Sequence, residues 1–163
     1  MILSLVNVDE AVLEELVTVA RADADADEVT PPLGEVAGWS PERIAWLRAY
    51  HRDRRPGLDG PAGEATWAVV VHGAVVGAVR LARLEGGAVE TGIWLRRTVR
   101  RQGVGVAALA HVLVLASAAG ATQLVARTTL ANAGAQAVLR QLGFLLSEQD
   151  GEITAVLGPL PDG

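Results

Sequence analysis

Residues 89–118, reading VETGIWLRRTVRRQGVGVAALAHVLVLASA, constrain the fold of this chain more than any other stretch. An extended segment ends near Leu95, a turn with arginines at 100 and 101 and glycines at 103 and 105 follows, and a long apolar segment begins there. The apolar part, 104–120, is rich in alanine and glycine and carries His111 near its middle. A membrane-spanning helix needs about 20 predominantly apolar residues, so a buried helix is expected instead. The turn then poses the functional question. A helix start presents unpaired backbone N–H groups and the positive end of a dipole, and glycine lets an anion approach the backbone closely. The P-loop ending Gly-Lys-Ser/Thr is absent, and the glycines are too few for the dinucleotide pattern GxGxxG. Glycine spacing alone leaves two readings open, a phosphate cradle and an ordinary strand-to-helix turn.

The rest of the chain supplies the context. Residues 1–8 alternate weakly as a first strand, and Asp9 has the character of an N-cap. Leu13, Leu16, Val17 and Ala20 then recur at helical spacing. That helix frays into the acidic run Asp23, Asp25, Asp27 and Glu28, expected to be a solvated loop. Thr30-Pro31-Pro32 breaks any helix, and Ser40 followed by Pro41 starts a second one that runs to about Arg54. It places Ile44, Leu47 and Tyr50 on one face, while Arg48, Arg52, Arg54 and Arg55 make a wet basic face balanced by nearby acids. Residues 56–63 form the clearest loop. The period then changes to that of strands, at 66–72, 75–84 and 88–95, joined by tight turns at Gly73-Ala74 and Glu85-Gly86-Gly87. These make an antiparallel meander. A helix at 103–119, a strand at 122–128, a helix at 132–142 and strands at 144–149 and 153–157 complete the order. No internal repeat or linker is visible, and 163 residues, 50% of them hydrophobic, suit one α/β (α+β) domain.

Composition excludes several kinds of chemistry. A net charge of −5 argues against nucleic-acid binding, which draws on a basic surface, and favours a cationic or neutral partner. The absence of cysteine removes disulfides, thiolate nucleophiles and cysteine metal sites, which permits a cytoplasmic location. All 14 basic residues are arginine, so lysine Schiff-base catalysis is excluded. The amino end lacks a basic segment and soon meets Asp9 and Glu10, unlike a secretory signal. Three histidines at unrelated spacings do not make a metal site.

A family resemblance rests on two motifs. Arg100-x-x-Gly103-x-Gly105 resembles the acyl-CoA pyrophosphate signature of the GNAT superfamily of N-acyltransferases. Asn132-Ala133-Gly134-Ala135, followed by Leu142-Gly143-Phe144, resembles its second signature, an asparagine-led helix ending in Gly-Phe. The likeness covers roughly residues 66–157. Residues 1–63 match only as the family's variable helical, acceptor-side part, with 64–130 as the acyl-CoA-binding part and 131–163 as the terminal helix and strand pair. Glu90-Thr91-Gly92-Ile93-Trp94-Leu95 is similar to the corresponding strand of the branch that includes the ribosomal-protein N-terminal acetyltransferases.

The resemblance implies a GNAT-like mixed central sheet, with the meander first, a splayed pair of parallel strands, and flanking helices. Pantetheine would lie in the splay, its amides pairing with the strand edge at Ile93, Trp94 and Leu95. Backbone N–H groups of Arg101, Gln102, Gly103, Val104, Gly105 and Val106 would hold the pyrophosphate of acetyl-CoA, with charge from Arg100 or Arg101. Asn132 would contact the pantetheine arm, and it also reads as a helix N-cap. The implied reaction is direct attack of a primary amine, small and cationic or a peptide terminus, on the thioester. Homodimerisation is left open, and no nucleic acid or membrane partner is expected.

Glu90 is the candidate base, with a carboxylate merely paired to Arg80 as the competing reading. A backbone N–H near Leu95 would meet the oxyanion. Two departures from the family pattern stand out: Leu139 where many members carry a tyrosine acid, and Arg127 where some carry a carboxylate. They support an alternative, a catalytically lapsed acyl-CoA-binding sensor. His72 and His51 are weaker base candidates, and Tyr50 a candidate acid. His111 is expected to be packed beside Val104, Ala108, Val112 and Leu115 or capped, and Trp39, Trp46 and Trp67 to belong to core and pocket wall.

Overall fold

A computed structural model gives the fold of residues 1–162. Strands β1 (Leu3–Asn7), β2 (Glu64–Val71), β3 (Ala74–Arg83), β4 (Ala88–Leu95), β5 (Gln123–Thr129), β6 (Leu145–Gln149) and β7 (Glu152–Leu157) form one sheet in the order β1-β2-β3-β4-β5-β7-β6. Every neighbouring pair is antiparallel except β4 and β5. The helices are α1 (Glu10–Asp23), the single turn α2 (Ala26–Val29), α3 (Pro41–Asp53), α4 (Val104–Ala118) and α5 (Ala133–Gln141).

Local chemistry starts the helices where the sequence marks them. Asp9 Oδ1 accepts from Val12 N at 2.8 Å, Ser40 Oγ from Arg43 N at 3.2 Å, and Asn132 Oδ1 from Ala135 N at 3.0 Å. Leu13, Leu16 and Val17 of α1 and Leu47 of α3 pack on Ala68, Val75 and Ala78 of the sheet. On the opposite face Val104, Ala108, Leu109 and Val112 of α4 meet Val79, Leu81, Val89 and Leu124, joined by Leu139 and Phe144. The two layers of helices therefore bury both faces of β2, β3 and β4, the strands that lead to the opening described below.

Three expectations need correction. The acidic run is not a solvated loop: it forms α2 and binds arginines, with Asp23 on Arg96, Asp27 on Arg43 and Glu28 on Arg100. Arg43 is almost fully buried and also donates to Thr30 Oγ1 at 2.8 Å and to the Gly38 carbonyl at 3.1 Å. The β2–β3 turn is centred on His72 and Gly73, both at positive φ, and Ala74 already belongs to the strand. His111 is exposed, outside the buried stripe of α4, and its Nδ1 lies 2.9 Å from the Ala107 carbonyl. The basic face of α3 does find acids, with Arg48 on Glu14, Arg52 and Arg55 on Glu10, and Arg54 on Glu64. Among the described residues no helix is long and apolar enough to cross a membrane.

Candidate active site

The parallel pair β4–β5 stays in register only from Ala88↔Gln123 to Thr91↔Ala126. Beyond that point β4 keeps its ladder with β3 as far as Leu95↔Gly77, and β5 keeps its ladder with β7 as far as Thr129↔Glu152. Each strand retains its outer partner and loses the inner one, so a wedge opens between them. Arg96 N donates to the Val76 carbonyl at 2.9 Å, which sets the alternation of backbone groups along β4. Ile93 and Leu95 thus turn their N–H and C=O into the wedge, whereas the backbone of Trp94 faces β3. The side chain of Trp94 packs with the α1 and α3 layer.

The turn of arginines and glycines follows Leu95 and so stands at the open end of the wedge. Arg101 and Gly103 both sit at positive φ, 61° and 81°, and α4 begins at Val104 with no side chain capping it. The first intrahelical bond runs from Ala107 N to the Gly103 carbonyl, so the N–H groups of Val104, Gly105 and Val106 have no acceptor within the helix. A Cβ built on Gly105 would lie 3.7 Å from Val138 and 3.9 Å from Leu95, so this glycine leaves space between the end of β4 and α5 that a side chain would fill. Arg101 is exposed, and Gln102 donates to the Thr98 carbonyl at 3.0 Å. Arg100 is held differently from what the motif suggests, since its Nε donates to the Leu95 carbonyl at 3.0 Å and its guanidinium pairs with Glu28. Asp23 accepts from the Thr98 hydroxyl at 2.8 Å and from Arg96 at 3.0 Å. The Thr98 hydroxyl, then Arg96 and the Thr98 N–H, hold its carboxyl down to about 2.

The other face of the wedge carries Glu90, Gly92 and Trp94, as strand parity requires. Glu90 accepts from Arg80 at 2.7 Å and lies 3.3 Å from Arg127 Nε, so the competing reading for Glu90 is present in the structure and enlarged by a second arginine. Gly92 makes the first contact feasible: a Cβ there would lie 2.8 Å from Arg80 Nε. Arg127 stands on β5 next to Ala126, the last residue paired to β4. Beyond these lie Tyr50, stacked on Trp46 and covered by the Arg54 guanidinium at 3.8 Å, and Glu64, which accepts from Arg54 at 2.8 Å. Burial, aided by the Glu64 charge, pushes the Tyr50 phenol up to about 12. His51 is buried against Thr66, 2.9 Å away, and burial pushes its imidazole down to about 4. Leu139 is buried in the core under α4, and His72 sits at the hairpin tip.

Sequence reading singled out Glu90, Leu95 and the turn, and the fold gathers them round one wedge with Asn132 at the head of α5. It named the Arg80 pair as the competing reading for Glu90 and missed the second arginine, Arg127. Register alone carried a signal for the Arg80 pair, because two strands that pair Arg80 with Gly92 leave an arginine lying over a residue without a side chain. The broad surface cleft lined by Leu113, Val114, Ser117, Leu157, Pro159 and Leu160 lies toward the other end of α4 and contains none of these residues. Among the described residues no cluster of metal-ligating side chains is present.

The model of the acetyltransferase (GNAT) domain matches residues 3–145. No curated protein matches the sequence. Among solved structures, RimJ of Mycobacterium smegmatis in complex with CoA-disulfide is similar with a TM-score of 0.77 at 17% identity, over 96% of this chain and 81% of that one. PseH of Campylobacter jejuni, an N-acetyltransferase in complex with acetyl coenzyme A, gives 0.65 at 16% identity, over 96% and 99%. The ribosomal-protein-S18-alanine N-acetyltransferase of Escherichia coli gives 0.66 at 16% identity, over 99% and 97%. At these identities the structural likeness speaks for the fold alone.

Proposed function

Because the chain belongs to the GNAT acetyltransferase domain family, whose model spans residues 3–145, we propose that it is an N-acetyltransferase using acetyl-CoA and a primary amine bound together. The observation that carries this reading is the juxtaposition of two features at one end of the sheet: the wedge between β4 and β5, and the uncapped start of α4. Backbone N–H groups facing an opening, beside a helix start rich in free donors, suit a ligand with amides at one end and a pyrophosphate at the other. In this reading Ile93 and the Leu95 carbonyl bind the pantetheine amides, and the N–H groups from Arg101 to Val106 bind the pyrophosphate, with Arg101 adding charge. Asn132 keeps its side-chain oxygen for the cap and offers its amide N–H to the pantetheine arm.

Acetyl-CoA supplies an activated acyl thioester. An alkylamine has a pKa near 10.4, so at neutral pH an acceptor arrives as an ammonium and must lose a proton before it can attack. Glu90, opposite Val125 at the closed end of the wedge, takes that proton in this scheme. The departing thiol, about 8.5 on the cysteine scale, leaves without a strong acid. That is consistent with an apolar Leu139 at the position where many family members place tyrosine. The Leu95 N–H is the donor placed for negative charge developing on the acyl oxygen.

The test is thiol release from acetyl-CoA across a panel of amines. We expect turnover on at least one, and a fall in kcat of about 100-fold in Glu90→Gln, the lower end of what a general base contributes. Full activity in that variant would remove Glu90 from the mechanism. The second reading, an acyl-CoA-binding sensor, draws on the buried Leu139 and on the engagement of both Glu90 oxygens by arginines. Tight acetyl-CoA binding with no turnover on any amine would favour it.

A further inference from the structure

The charges where the wedge begins to open are arranged in depth. Glu90 is the sheltered member, its side chain 18% exposed, while Arg80 is 33% and Arg127 57% exposed. The carboxylate is shared by two arginines, so the trio carries one net positive charge, and the group turned most toward solvent is the Arg127 guanidinium. The contacts differ in quality as well. Arg80 is close at 2.7 Å and lies over Gly92, whereas Arg127 reaches Glu90 only at 3.3 Å. Other charged groups on this face do not neutralise Arg127. Glu64 is committed to Arg54 at 2.8 Å, Tyr50 stays a neutral phenol, and Glu152, opposite Thr129, stands further out on β7 and forms no ion pair with Arg127. A ligand entering here meets an exposed cation first and a half-buried anion behind it.

We propose that the acceptor is a zwitterionic amine, one carrying a carboxylate within a few atoms of the ammonium, and that it inserts into the Glu90–Arg127 ion pair. Its carboxylate takes Arg127 and its ammonium takes the Glu90 oxygen that Arg127 releases, while Arg80 keeps hold of the other oxygen. Both charges of the exposed pair are then replaced in kind, so no ion is left unpartnered. A purely cationic amine gains Glu90 but leaves Arg127 facing its own sign; a neutral-tailed amine leaves Arg127 without a partner. This inference rests on the acetyl-transfer reading, and it names the acceptor for that same wedge. Two sources share the chemistry, a free amino acid and a peptide whose first residue is Asp or Glu.

The experiment measures thiol release from acetyl-CoA with glycine and glutamate, with glycinamide and putrescine, and with tripeptides opening on Asp or on Asn. We expect a carboxylate-bearing acceptor to exceed its uncharged isostere by roughly tenfold or more in kcat/KM, the worth of one charge-assisted hydrogen bond. The free acids or the Asp peptide, whichever shows the gap, identifies the source. Arg127→Gln should collapse the gap to about twofold, and Arg127→Lys should restore part of it. A wild-type preference for putrescine, or a carboxylate preference that survives Arg127→Gln, overturns the proposal. If no amine is acetylated, the acetyl-transfer reading fails. Calorimetry of the same acceptors with the CoA-loaded protein then decides the inference: binding that Arg127→Gln abolishes upholds it, and no binding overturns it.

Discussion

The burial of His51, 15 residues upstream of the Thr66 it meets on β2, bears on stability. Its ring is 2% exposed, held by Thr66 and set edge-on to Tyr50, and burial, followed by the charges of Arg54 and Arg55, pushes it down to about 4. The unfolded chain protonates this imidazole near pH 6.5, the folded one only near pH 4. The unfolded state therefore binds more protons between those values, and stability falls as pH is lowered through that window. We expect a loss of about 2 kcal/mol by pH 5 and roughly 3 kcal/mol by pH 4 relative to pH 7.5. Urea titrations at these pH values check it, and His51→Gln should flatten the dependence. The carboxyls of Glu10 and Asp23, held down to about 2 from ordinary values of 4.5 and 3.8, begin to lose their contribution near pH 4, so the pH 5 point and the His51→Gln control isolate the histidine. Gly92 is the second residue whose role is local. A Cβ at 2.8 Å from Arg80 Nε would displace a flexible guanidinium rather than backbone, so Gly92→Ala should spare the fold. It should nevertheless lower acetyl transfer about tenfold, the scale of one charge-assisted hydrogen bond, by loosening the Arg80–Glu90 contact.

At the scale of elements, the strand-turn-helix unit from β4 to α4 was legible because its signals are local. Alternation, the glycine at a left-handed position and the apolar run all lie within 30 residues, and the asparagine cap that starts α5 is just as local to its own helix. The hold of Arg127 on Glu90 was not, since it depends on the register of β4 against β5, which no local pattern states. Leu139 illustrates the same limit: the structure buries it, but neither its position nor its burial says which residue replaces a missing acid. Gly77 and Asn132 turn these elements into measurements. A Cβ on Gly77 would come within 2.1 Å of the Trp94 carbonyl, so the β3–β4 ladder beside the wedge would have to shift. Gly77→Ala should cost about 3 kcal/mol in denaturant unfolding, at the upper end for overpacking. Asn132 combines a cap with a free amide donor, and two substitutions separate them. Asn132→Ala should cost about 1 kcal/mol of stability. Asn132→Asp should retain the cap yet raise the KM for acetyl-CoA severalfold if the amide N–H holds the pantetheine arm; an unchanged KM would leave Asn132 as a cap alone.

Across the whole molecule, the net charge and the field beside Glu90 differ in sign. The −5 total points to a cationic partner, but most of the acids near the wedge are already answered by arginines, and what remains exposed where the wedge begins is Arg127. The acidic run after α1 shows why: Asp23 binds Arg96 and Thr98, and Glu28 binds Arg100, across more than 70 residues of chain. Sequence separation of that size hid the pairing, although both partners were visible. Its consequence is that the helical first part is tied to the turn proposed to hold the pyrophosphate. If Arg100 supplies charge to that anion, Glu28 competes for it, and removing the competitor should strengthen binding. The pair is partly exposed, with side chains 36% and 45% accessible, so its worth is that of a surface salt bridge, about 0.2–1 kcal/mol. We therefore expect Glu28→Gln to tighten CoA binding by about twofold to fivefold in calorimetry, with the gain shrinking as salt is raised. Arg100→Gln should weaken binding and abolish the effect of the Glu28 substitution in the double variant. Additive effects in that cycle would mean that Arg100 serves only to hold the Leu95 carbonyl and the end of β4.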